Sequence, residues 1–523
     1  MAARGFTPQT LRPSFDSDPM HKAAARFADR LAILPPGKAL INADYDVDGV
    51  TSALIMGQAL KSAGWRVDVF IPSRFVDGYG INKATLEKGT TGDDRVNCII
   101  TLDCGATELD YLSDFGLKSG VPVFVVDHHK RTGTAKDNLC ELNPQCHLTE
   151  GVQENGYCTA VLVAMAAFHL AKRFPAIAEK INDYLMIAGM GAIADVVSMK
   201  SVGSRALAIQ FLEQGYHSIK NTAFRLYMRA CGIKGAMTSA DVGFKLVPPL
   251  NAVGRLDDAT TVLAMFDVHD NIDAVERLIQ KTLTLNRERR RLQDAIVNDA
   301  CVFYGNDPAL AAYSRDWHIG VVGPAAGRIA ERYRIPVFLG GYSPDARTYS
   351  FSGRSGGPID IHDLMTKVIK GLPVKMGGHK AALGFRIDEA YIEEVMPIIK
   401  ERLDRLTPRI SAPRQCDAII RTVSMAHWQE IQALEPYGIE NPAPLVCVPR
   451  VSVKLRRSRD RNDMASGTAM TTDGHTFDVL VFHNANIAAT TRFTGDIIGS
   501  LICDRRTNEH VVKMIIEDFL PAA

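Results

Sequence analysis

Three aspartates at alternate positions are the residues of this sequence best suited to chemistry. They are Asp44, Asp46 and Asp48, and Gly49 follows them directly. Carboxylates this close repel one another unless a cation neutralises them, and their oxygens suit the hard ions Mg²⁺ and Mn²⁺. Gly49 is expected to permit a tight turn that aims the three side chains together. The alternatives are a solvated acidic turn or a calcium loop, although a calcium loop of the EF-hand kind needs a glutamate that the next dozen residues do not contain.

Other acids and imidazoles come directly after apolar segments of the chain. They are Asp103, Asp127, His128, His129 and Asp195. Asp103 ends the run Cys98–Leu102, and the triplet that begins with Asp127 ends the run Val121–Val126. One such acid alone would usually cap a helix, and a lone histidine pair would usually be structural. Because ligand sites of open α/β sheets form at the carboxyl ends of strands, several strands that each end in metal-ligating side chains predict one shared metal site.

The elements that must position these residues alternate between strands and helices. The predicted strands are Lys38–Asn42, Val67–Ile71, Asn97–Leu102 and Val121–Val126. The predicted helices are Val50–Ala63, Thr159–Arg173 and Asp183–Ala194. This alternation is typical of a doubly wound parallel sheet with helices on both faces.

Three further segments follow in the chain. Residues from about 271 to 301 form one charged helical pattern without Gly or Pro, which predicts a helix connecting two domains. A second α/β segment spans about 309–406, and the pairs Thr407-Pro408 and Ala412-Pro413 indicate a linker after it. The remainder, to Ala523, has short alternating runs with turn signals, which predicts a small β-barrel.

Length and composition limit the class of protein. A chain of 523 residues that is 46% hydrophobic is expected to form two to four domains. Lys plus Arg (60) nearly cancels Asp plus Glu (59), which argues against a purely electrostatic DNA coat but leaves local nucleic-acid binding open. The ten cysteines form no CxxC, and neither a signal peptide nor a membrane-spanning run is recognisable. We therefore expect a reduced, cytoplasmic protein.

The acidic motifs occur in an order that resembles the DHH phosphoesterase superfamily. That order is DxDxDG, a lone strand-end Asp, the DHH triplet and a later Asp, and the resemblance covers nearly the whole chain. It implies two divalent metal ions, Mn²⁺ or Mg²⁺, surrounded by Asp44, Asp46, Asp48, Asp103, His128, His129 and Asp195. It further implies that Asp103 bridges the two ions, and that Asp127, also counted among the catalytic residues, orients a histidine.

Two divalent metal ions held close together support a definite catalytic chemistry. Two cations about 4 Å apart can clamp a phosphodiester, lower the pKa of a bound water and neutralise the charge that builds on the leaving oxygen. No Ser or Cys nucleophile is then required, and the sequence has neither a GxSxG elbow nor a Walker loop.

The second α/β segment carries two candidate phosphate-binding motifs. The stretch Met376–Gly384 resembles the GGHxxAAG motif of the DHH-associated domain, with Leu383 in place of an alanine. This nominates Gly377, Gly378 and His379 as substrate contacts, whereas a plain turn is the alternative. The stretch Ser352–Ser355 resembles the phosphate-contacting loop of the same domain, which nominates Arg354 and Ser355.

Two other runs resemble the RecJ group within the superfamily. Asn251–Ala259 resembles its NAxGR segment and nominates Arg255 as a phosphate contact, with an ion pair to Asp257 or Asp258 as the alternative. Trp317–Gly323 resembles its WHxGVxG segment, with Ile319 in place of a proline, and nominates His318.

The C-terminal segment resembles the same group. Leu434–Gly438 and Asn441–Pro444 are similar to the stretch that leads into its oligonucleotide-binding (OB) barrel. A basic run surrounds a predicted hairpin and is either a DNA contact or a solvated surface; its members are Lys454, Arg456, Arg457, Arg459 and Arg461. Phe477 and Phe482 are expected to lie in the barrel core.

The patterns and the resemblance together give a domain plan. We expect an α/β protein with a parallel-sheet DHH domain, a long connecting helix, a second α/β DHH-associated domain and a C-terminal OB-fold barrel. The expected bounds are an N-terminal extension at 1–30, a DHH catalytic domain at 31–225, a helical connector at 226–305, a DHH-associated substrate-binding domain at 306–406 and an OB-fold-like nucleic-acid-binding domain at 407–523.

The implied function is a metal-dependent exonuclease that hydrolyses single-stranded DNA with 5′→3′ polarity in recombination and repair. Implied partners are single-stranded DNA and a single-strand-binding protein or helicase; we expect a monomer and no membrane. The main alternative is a DHH phosphodiesterase acting on short oligoribonucleotides, cyclic dinucleotides or nucleoside bisphosphates, although such relatives usually lack the barrel. A non-enzymatic DNA-binding scaffold is expected to have lost ligands, and an inorganic pyrophosphatase would not need a barrel.

Overall fold

Five short apolar runs in the first part of the chain form one parallel sheet. The strands are β1 (Lys38–Ala43), β2 (Arg66–Phe70), β3 (Cys98–Leu102), β4 (Val123–Val126) and β5 (Leu139–Leu142). Their order across the sheet is β2-β1-β3-β4-β5, and every neighbouring pair is parallel. Ile41 packs in a core on one face, whereas the adjacent Leu40 packs in a second core on the other. Burial on both faces explains why these strands are nearly continuous apolar runs, and it confirms the predicted doubly wound sheet.

The computed structural model describes residues 4, 6–73, 80–147, 152–267, 271–305, 307–408, 415–458, 464–482, 485–504 and 511–521. By their contacts these residues form two compact units. Residues 1–289 and 434–442 form the first unit, and residues 290–433 and 443–523 form the second. The domain bounds expected from the sequence stay a prediction.

Helices make up much of the rest of this part of the chain, and some of them cover the two faces of the first sheet. They are α1 (Pro8–Leu11), α2 (His21–Ala32), α3 (Val47–Ser62), α4 (Lys83–Gly89), α5 (Leu109–Ser119), α6 (Thr159–Leu170), α7 (Pro175–Ala178), α8 (Ile181–Ala194), α9 (Val202–Ser218), α10 (Thr222–Ala230), α11 (Ser239–Asp241), α12 (Val247–Leu256), α13 (Thr260–Asp267) and α14 (Ile272–Val302). Three of them, α3, α6 and α8, are apolar on nearly every side because they pack inside the unit. None of the helices in the described ranges has both the length and the apolar character that a membrane crossing requires.

The predicted connecting helix is present as α14, which runs from the first unit into the second. The second unit contains a mixed five-stranded sheet. Its strands are β6 (Leu310–Ser314), β7 (Val337–Ser343), β8 (Thr348–Arg354), β9 (Lys375–Gly378) and β10 (Ala382–Asp388), in the order β6-β7-β8-β10-β9. Its helices are α15 (Val322–Tyr333), α16 (Ile361–Val368), α17 (Ile392–Leu406) and, further along the chain, α18 (Met425–Gln432) and α19 (Ala485–Ala489).

The C-terminal strands close into a barrel, as predicted. They are β11 (Ala418–Ile419), β12 (Val446–Arg457), β13 (Ala465–Met470), β14 (Thr476–Val481), β15 (Arg492–Asp504) and β16 (Val511–Pro521). Pairing runs β12-β13-β14-β16-β15 and returns to β12, while β11 adds to the side of β12. Val451, Val453 and Leu455 alternate inward to the barrel core.

The outward positions of β12 carry part of the predicted basic run. Lys454, Arg456 and Arg457 are exposed, whereas residues 459 and 461 lie outside the described ranges, as does the Ala412-Pro413 pair. Phe477 is buried in the barrel core, as expected. The expectation for Phe482 is wrong, because this side chain follows the end of β14 and is 37% exposed.

We predict opposite effects for two glycines of the first unit. An added Cβ at Gly189 of α8 would lie 2.2 Å from the Leu207 carbonyl oxygen of α9, whereas at Gly57 of α3 the nearest atom would be 3.8 Å away. Gly189→Ala should therefore destabilise the fold by about 1–3 kcal/mol. Gly57→Ala should stabilise it by about 0.5–1 kcal/mol through helix propensity. Urea unfolding of both variants checks this; equal effects would contradict the packing described.

Candidate metal centre

The first sheet places three aspartates side by side at its carboxyl edge. Asp44, Asp103 and Asp127 directly follow β1, β3 and β4. The amide of each donates to the carbonyl of the last residue in the neighbouring strand, at 3.2, 3.0 and 3.3 Å respectively. The ladder thus continues one residue past the strands, and it fixes the backbone from which each carboxylate projects.

Helix N-termini hold the other two acids of the DxDxDG motif. Asp46 caps α3, where its Oδ1 accepts from the amides of Asp48 and Gly49 at 2.9 and 3.2 Å. Asp48 reaches the start of α6, where its two oxygens accept from the amides of Thr159 (2.7 Å) and Ala160 (2.9 Å). Both sites use amides that a helix leaves without an internal partner, and the helix dipole favours negative charge there.

The role expected for Gly49 needs correction. Gly49 lies inside α3 and not in a tight turn. A Cβ at this position would be 2.4 Å from the carbonyl oxygen of Asp44. The glycine is required because the helix backbone approaches the Asp44 backbone closely, not because the chain turns there.

Asp103 has a backbone conformation unusual for a residue with a side chain. Its φ is +60°, in the left-handed region that aspartate tolerates better than most residues. The hydroxyl of Thr159 donates to its Oδ1 at 3.2 Å, and the carboxylate is buried. Strand pairing before it and the threonine beside it fix Asp103 at the middle of the cluster.

Asp127 is fully engaged by donors. Its Oδ2 accepts from the amide of Ala106 at 2.9 Å, and its Oδ1 accepts from the amide of His129 at 3.0 Å and lies 2.8 Å from His129 Nδ1. This pairing holds the imidazole ring with Nδ1 toward the aspartate, which makes Nε2 the nitrogen suited to bind a metal.

The side chains converge in three overlapping sets, each with potential ligand atoms within 4.8 Å of one another. The sets are Asp44, Asp46 and Asp103; Asp103, His128 and His129; and Asp48, His128 and Asp195. His128 Nε2 lies 3.4 Å from an oxygen of Asp103 and 3.5 Å from one of Asp195. Asp103 and His128 each belong to two sets, so this geometry can hold more than one ion with a shared carboxylate between them.

Burial and mutual repulsion raise the carboxylate pKa values. Burial, and then the charge of Asp195, raises the pKa of Asp48 to about 6. Burial, and then the charge of Asp46, raises the pKa of Asp195 to about 7. Burial, and then the charge of Asp48, holds the pKa of Asp103 well above its ordinary value. A divalent cation would relieve both penalties at once.

The two histidines are shifted in opposite directions. Burial, with the neighbouring His129, lowers the pKa of His128. Burial would lower the pKa of His129 too, but the hydrogen bond to Asp127 and the negative charges of Asp127, Asp195 and Asp48 together outweigh burial and raise it to about 9. Burial would raise the pKa of the Asp127 carboxyl, but the hydrogen bonds and charge of His129, together with the charge of His128, outweigh burial and lower it.

Residues outside the predicted ligand set also support the site. The amide of Val47 donates to Asn251 Oδ1 at 3.0 Å, and a Cβ at Gly254 would lie 2.6 Å from the carbonyl oxygen of Tyr45. The start of the NAxGR run therefore packs on the acidic loop and holds it in place. Arg255 follows Gly254, in the last turn of α12, and is half-buried. The sequence did not indicate a role for Thr159 at the metal site, because this residue is simply the first of a predicted apolar helix.

The second unit brings several of its nominated residues together at one end of its sheet. Arg354 ends β8 opposite Ala382, and the amide of Ser355 donates to the carbonyl of Ala381 at 3.0 Å. Gly377 and Gly378 lie on the edge strand β9, and the amide of the exposed His379 donates to the carbonyl of Ala382 at 2.8 Å. The hydroxyl of Ser355 donates within its own loop, to Gly357 and Ile359 carbonyls at 3.0 and 2.8 Å.

The start of α15 lies against the same arginine. His318 precedes this helix, and its Nδ1 accepts from the amide of Gly320 at 3.1 Å. A Cβ at Gly323 would lie 3.2 Å from Arg354 Nη2. Arg354 also donates to Ser352 Oγ and the Gly353 carbonyl, at 2.9 and 2.7 Å. A guanidinium beside a helix N-terminus is suited to an anion.

Comparison with known protein families finds three matches along the chain. Residues 38–189 match the N-terminal domain of the DHH family, residues 306–407 match the DHHA1 domain, and residues 416–518 match the RecJ OB domain.

Similar proteins include two exonucleases. The single-stranded-DNA-specific exonuclease RecJ of Bacillus subtilis is 25% identical over 520 residues, covering 96% of this chain and 64% of that protein. The protein of the same name from Thermus thermophilus is 28% identical over 486 residues, covering 89% and 68%. The chain thus spans about two thirds of the length of these relatives.

Solved structures share the fold. A crystal structure of RecJ in complex with Mn²⁺ from Thermus thermophilus has a TM-score of 0.79 at 24% identity and covers 100% of this chain and 75% of that one. A crystal structure of exonuclease RecJ bound to manganese has a TM-score of 0.61 at 27% identity, covering 77% and 96%. The chain thus carries a DHH N-terminal domain, a DHHA1 domain and a RecJ OB domain in that order, and with the acidic motifs intact it resembles the RecJ-like members of the DHH family.

Proposed function

We propose that this chain is a metal-dependent exonuclease that hydrolyses phosphodiester bonds of single-stranded DNA, with 5′→3′ polarity, in recombination and repair. The observation that carries the proposal is the convergence of carboxylates, most of them buried, with two imidazoles in three sets. Asp103 and His128 each belong to two of these sets and so link them. The relatives' activity supports the choice of substrate.

The donor set fits hard divalent ions, because carboxylate oxygens dominate and the imidazoles also suit Mn²⁺. The proposed ligands are Asp44, Asp46, Asp48, Asp103, His128, His129 and Asp195. Two bound ions, Mn²⁺ or Mg²⁺, supply positive charge that acidifies water and neutralises the phosphate. The chain's own contribution is position: Asp127 orients His129, while the start of α6 fixes Asp48 and Thr159 fixes Asp103.

Substrate contacts extend this proposal to other parts of the chain. Arg255, His318, Arg354 and His379 would bind phosphates of the strand, with the glycines of β9 allowing close approach. The outward basic residues of β12 would hold the strand on the barrel. We place the protein in the cytoplasm as a monomer that meets single-strand-binding protein or a helicase on its DNA.

The second candidate is a phosphodiesterase for short oligoribonucleotides or dinucleotides. The match of residues 416–518 to an OB domain favours the longer substrate, because such barrels bind extended single strands. A 5′-labelled single strand, the matching duplex and a dinucleotide, each with Mg²⁺, Mn²⁺ or chelator, separate the two candidates. Stepwise release of nucleotides from the single strand alone is expected; preference for the dinucleotide would refute the leading proposal.

Asp103→Ala should lower turnover of single-stranded DNA by about a thousandfold or more, because the carboxylate shared by two ligand sets is lost. The matched control is Asp29→Ala, which removes an exposed ion pair with Arg173 (2.7 Å) and should leave turnover unchanged. Nuclease assays on both purified variants test this. Wild-type turnover by the Asp103 variant would eliminate the proposed centre.

Thr159→Val should weaken Mn²⁺ binding by about tenfold to a hundredfold, as loss of a hydrogen bond to a metal ligand commonly does. Valine keeps the backbone amide that holds Asp48 and loses only the hydroxyl that donates to Asp103. Thr159→Ser keeps the hydroxyl and should bind Mn²⁺ as the wild type does. Calorimetric titration with Mn²⁺ decides; equal affinity in the valine and serine variants would count against this role.

The metal-free protein should lose stability as pH rises. Asp48, Asp195 and His129 have pKa values of about 6, about 7 and about 9, all above their ordinary values. Because each binds its proton more tightly when the chain is folded, their stabilising contribution is present at low pH and is lost as pH rises through these values. Without metal, the thermal midpoint should be lower at about pH 8.5 than at about pH 5.5.

Saturating Mn²⁺ should raise that midpoint more at the higher pH, since the ligands are then ionised. Thermal unfolding in chelator and in Mn²⁺ at both pH values measures the effect. A metal-free midpoint that rises with pH would contradict the shifts assigned to these groups.

A further inference from the structure

A short stretch from the C-terminal half of the chain packs on the residues that follow Asp195. Leu434–Pro442, here called the clasp, belongs to the first unit, although the chain on both sides of it belongs to the second. Ile439 pairs with Ser198 as a parallel bridge. Its amide donates to the carbonyl of Val196, and its carbonyl accepts from the amide of Met199, both at 3.4 Å.

The clasp contacts a residue in a strained conformation. Val196 has a φ of +54°, in a region that β-branched residues rarely adopt, and the residue is 51% exposed. Packing of the side chain therefore does little to hold this conformation, whereas the hydrogen bond from Ile439 acts on its backbone directly. Asp195 is the C-cap residue of α8, so the strained turn begins at the residue directly after this proposed ligand.

Buried donors fix the clasp itself. Arg205 is 1% exposed; its Nη2 donates to the carbonyl of Glu435 at 2.9 Å and its Nε to that of Leu11 at 2.8 Å. Asn441 is fully buried, and its Nδ2 donates to the carbonyls of Leu434 and Pro436 at 2.8 and 2.9 Å. These donors all bind backbone carbonyls, so they determine the path of the clasp.

A carboxylate and a serine tie the clasp to a second place in the first unit. Glu435 Oε2 accepts from the amide and hydroxyl of Ser239 at 2.7 and 3.2 Å, and Ser239 Oγ accepts from the amide of Tyr437 at 3.0 Å. Glu440 and Ser198 are joined by a further side-chain hydrogen bond. The clasp is thus held at both of its ends, and Ile439 lies between them.

We propose that the clasp is a positioning element of the metal centre. It holds the strained turn at Val196, and through that turn it keeps Asp195 among the ligands. The stretch that leads into the OB barrel thereby completes the centre in the other half of the chain, and high metal affinity requires it. This inference rests on the proposed metal-dependent function, and Ile439 and Asn441 are its main positioning residues.

The test is Mn²⁺ titration by calorimetry on full-length variants. Asn441→Ala loses both carbonyl bonds and should weaken Mn²⁺ binding by about tenfold. Adding Val196→Gly should restore most of the affinity, because glycine adopts positive φ without strain and no longer needs the clasp. Asn221→Ala, which removes a buried amide bonded to the Phe266 carbonyl (3.0 Å), is the matched control and should bind Mn²⁺ normally.

Thermal unfolding checks that each variant is folded. If Asn441→Ala does not fold, Ser239→Ala takes its place and should show a smaller loss that Val196→Gly also restores. Unchanged affinity in the folded clasp variant, or a loss that Val196→Gly leaves uncorrected, would overturn the proposal while the metal centre stands. A wild-type chain that binds no Mn²⁺ would instead overturn the proposed function.

Discussion

The organisation of the first unit follows from one electrostatic constraint: several carboxylates are crowded together where water cannot screen them. Asp44, Asp48, Asp103 and Asp127 are 6%, 2%, 2% and 1% exposed. Ionised acids in such a place are costly unless donors or cations surround them. Hydrogen-bond donors of the protein stabilise part of this negative charge. They are the amides at the starts of α3 and α6 and the imidazole of His129. Burial and the neighbouring carboxylates still raise the pKa values of Asp48 and Asp195, so a bound cation would stabilise the ionised forms of both acids.

The same constraint explains why the supporting residues come from distant parts of the chain. A parallel sheet brings strand ends together, but it does not by itself orient side chains. Thr159 donates a hydrogen bond to the central Asp103, and Asn251 accepts one from the amide of Val47 in the acidic loop. The clasp donates one to the carbonyl of Val196, in the turn after Asp195. Two residues at the site, Asp103 and Val196, keep left-handed backbone conformations, which persist only where surrounding contacts hold them.

Much of this could be predicted from the sequence, for physical reasons. The acids were recognisable because each follows a continuous apolar run. Such runs indicate parallel strands that are buried on both faces, and the carboxyl ends of parallel strands lie at one edge of the sheet. The barrel was recognisable from its alternation of apolar and polar residues. The roles of Thr159 and Ile439 could not be predicted from the sequence, because they depend on contacts between residues far apart in the chain. Gly49 was assigned the wrong role, since a glycine in sequence does not show whether it serves a turn or a close approach of two backbones.

Anomalous scattering from a crystal soaked in Mn²⁺ tests the central claim most directly. We predict two manganese peaks within the cluster, with the Asp103 carboxylate between them and His128 and His129 as nitrogen ligands. A crystal of folded protein in which these side chains surround no manganese, or in which the ions bind elsewhere, would contradict it.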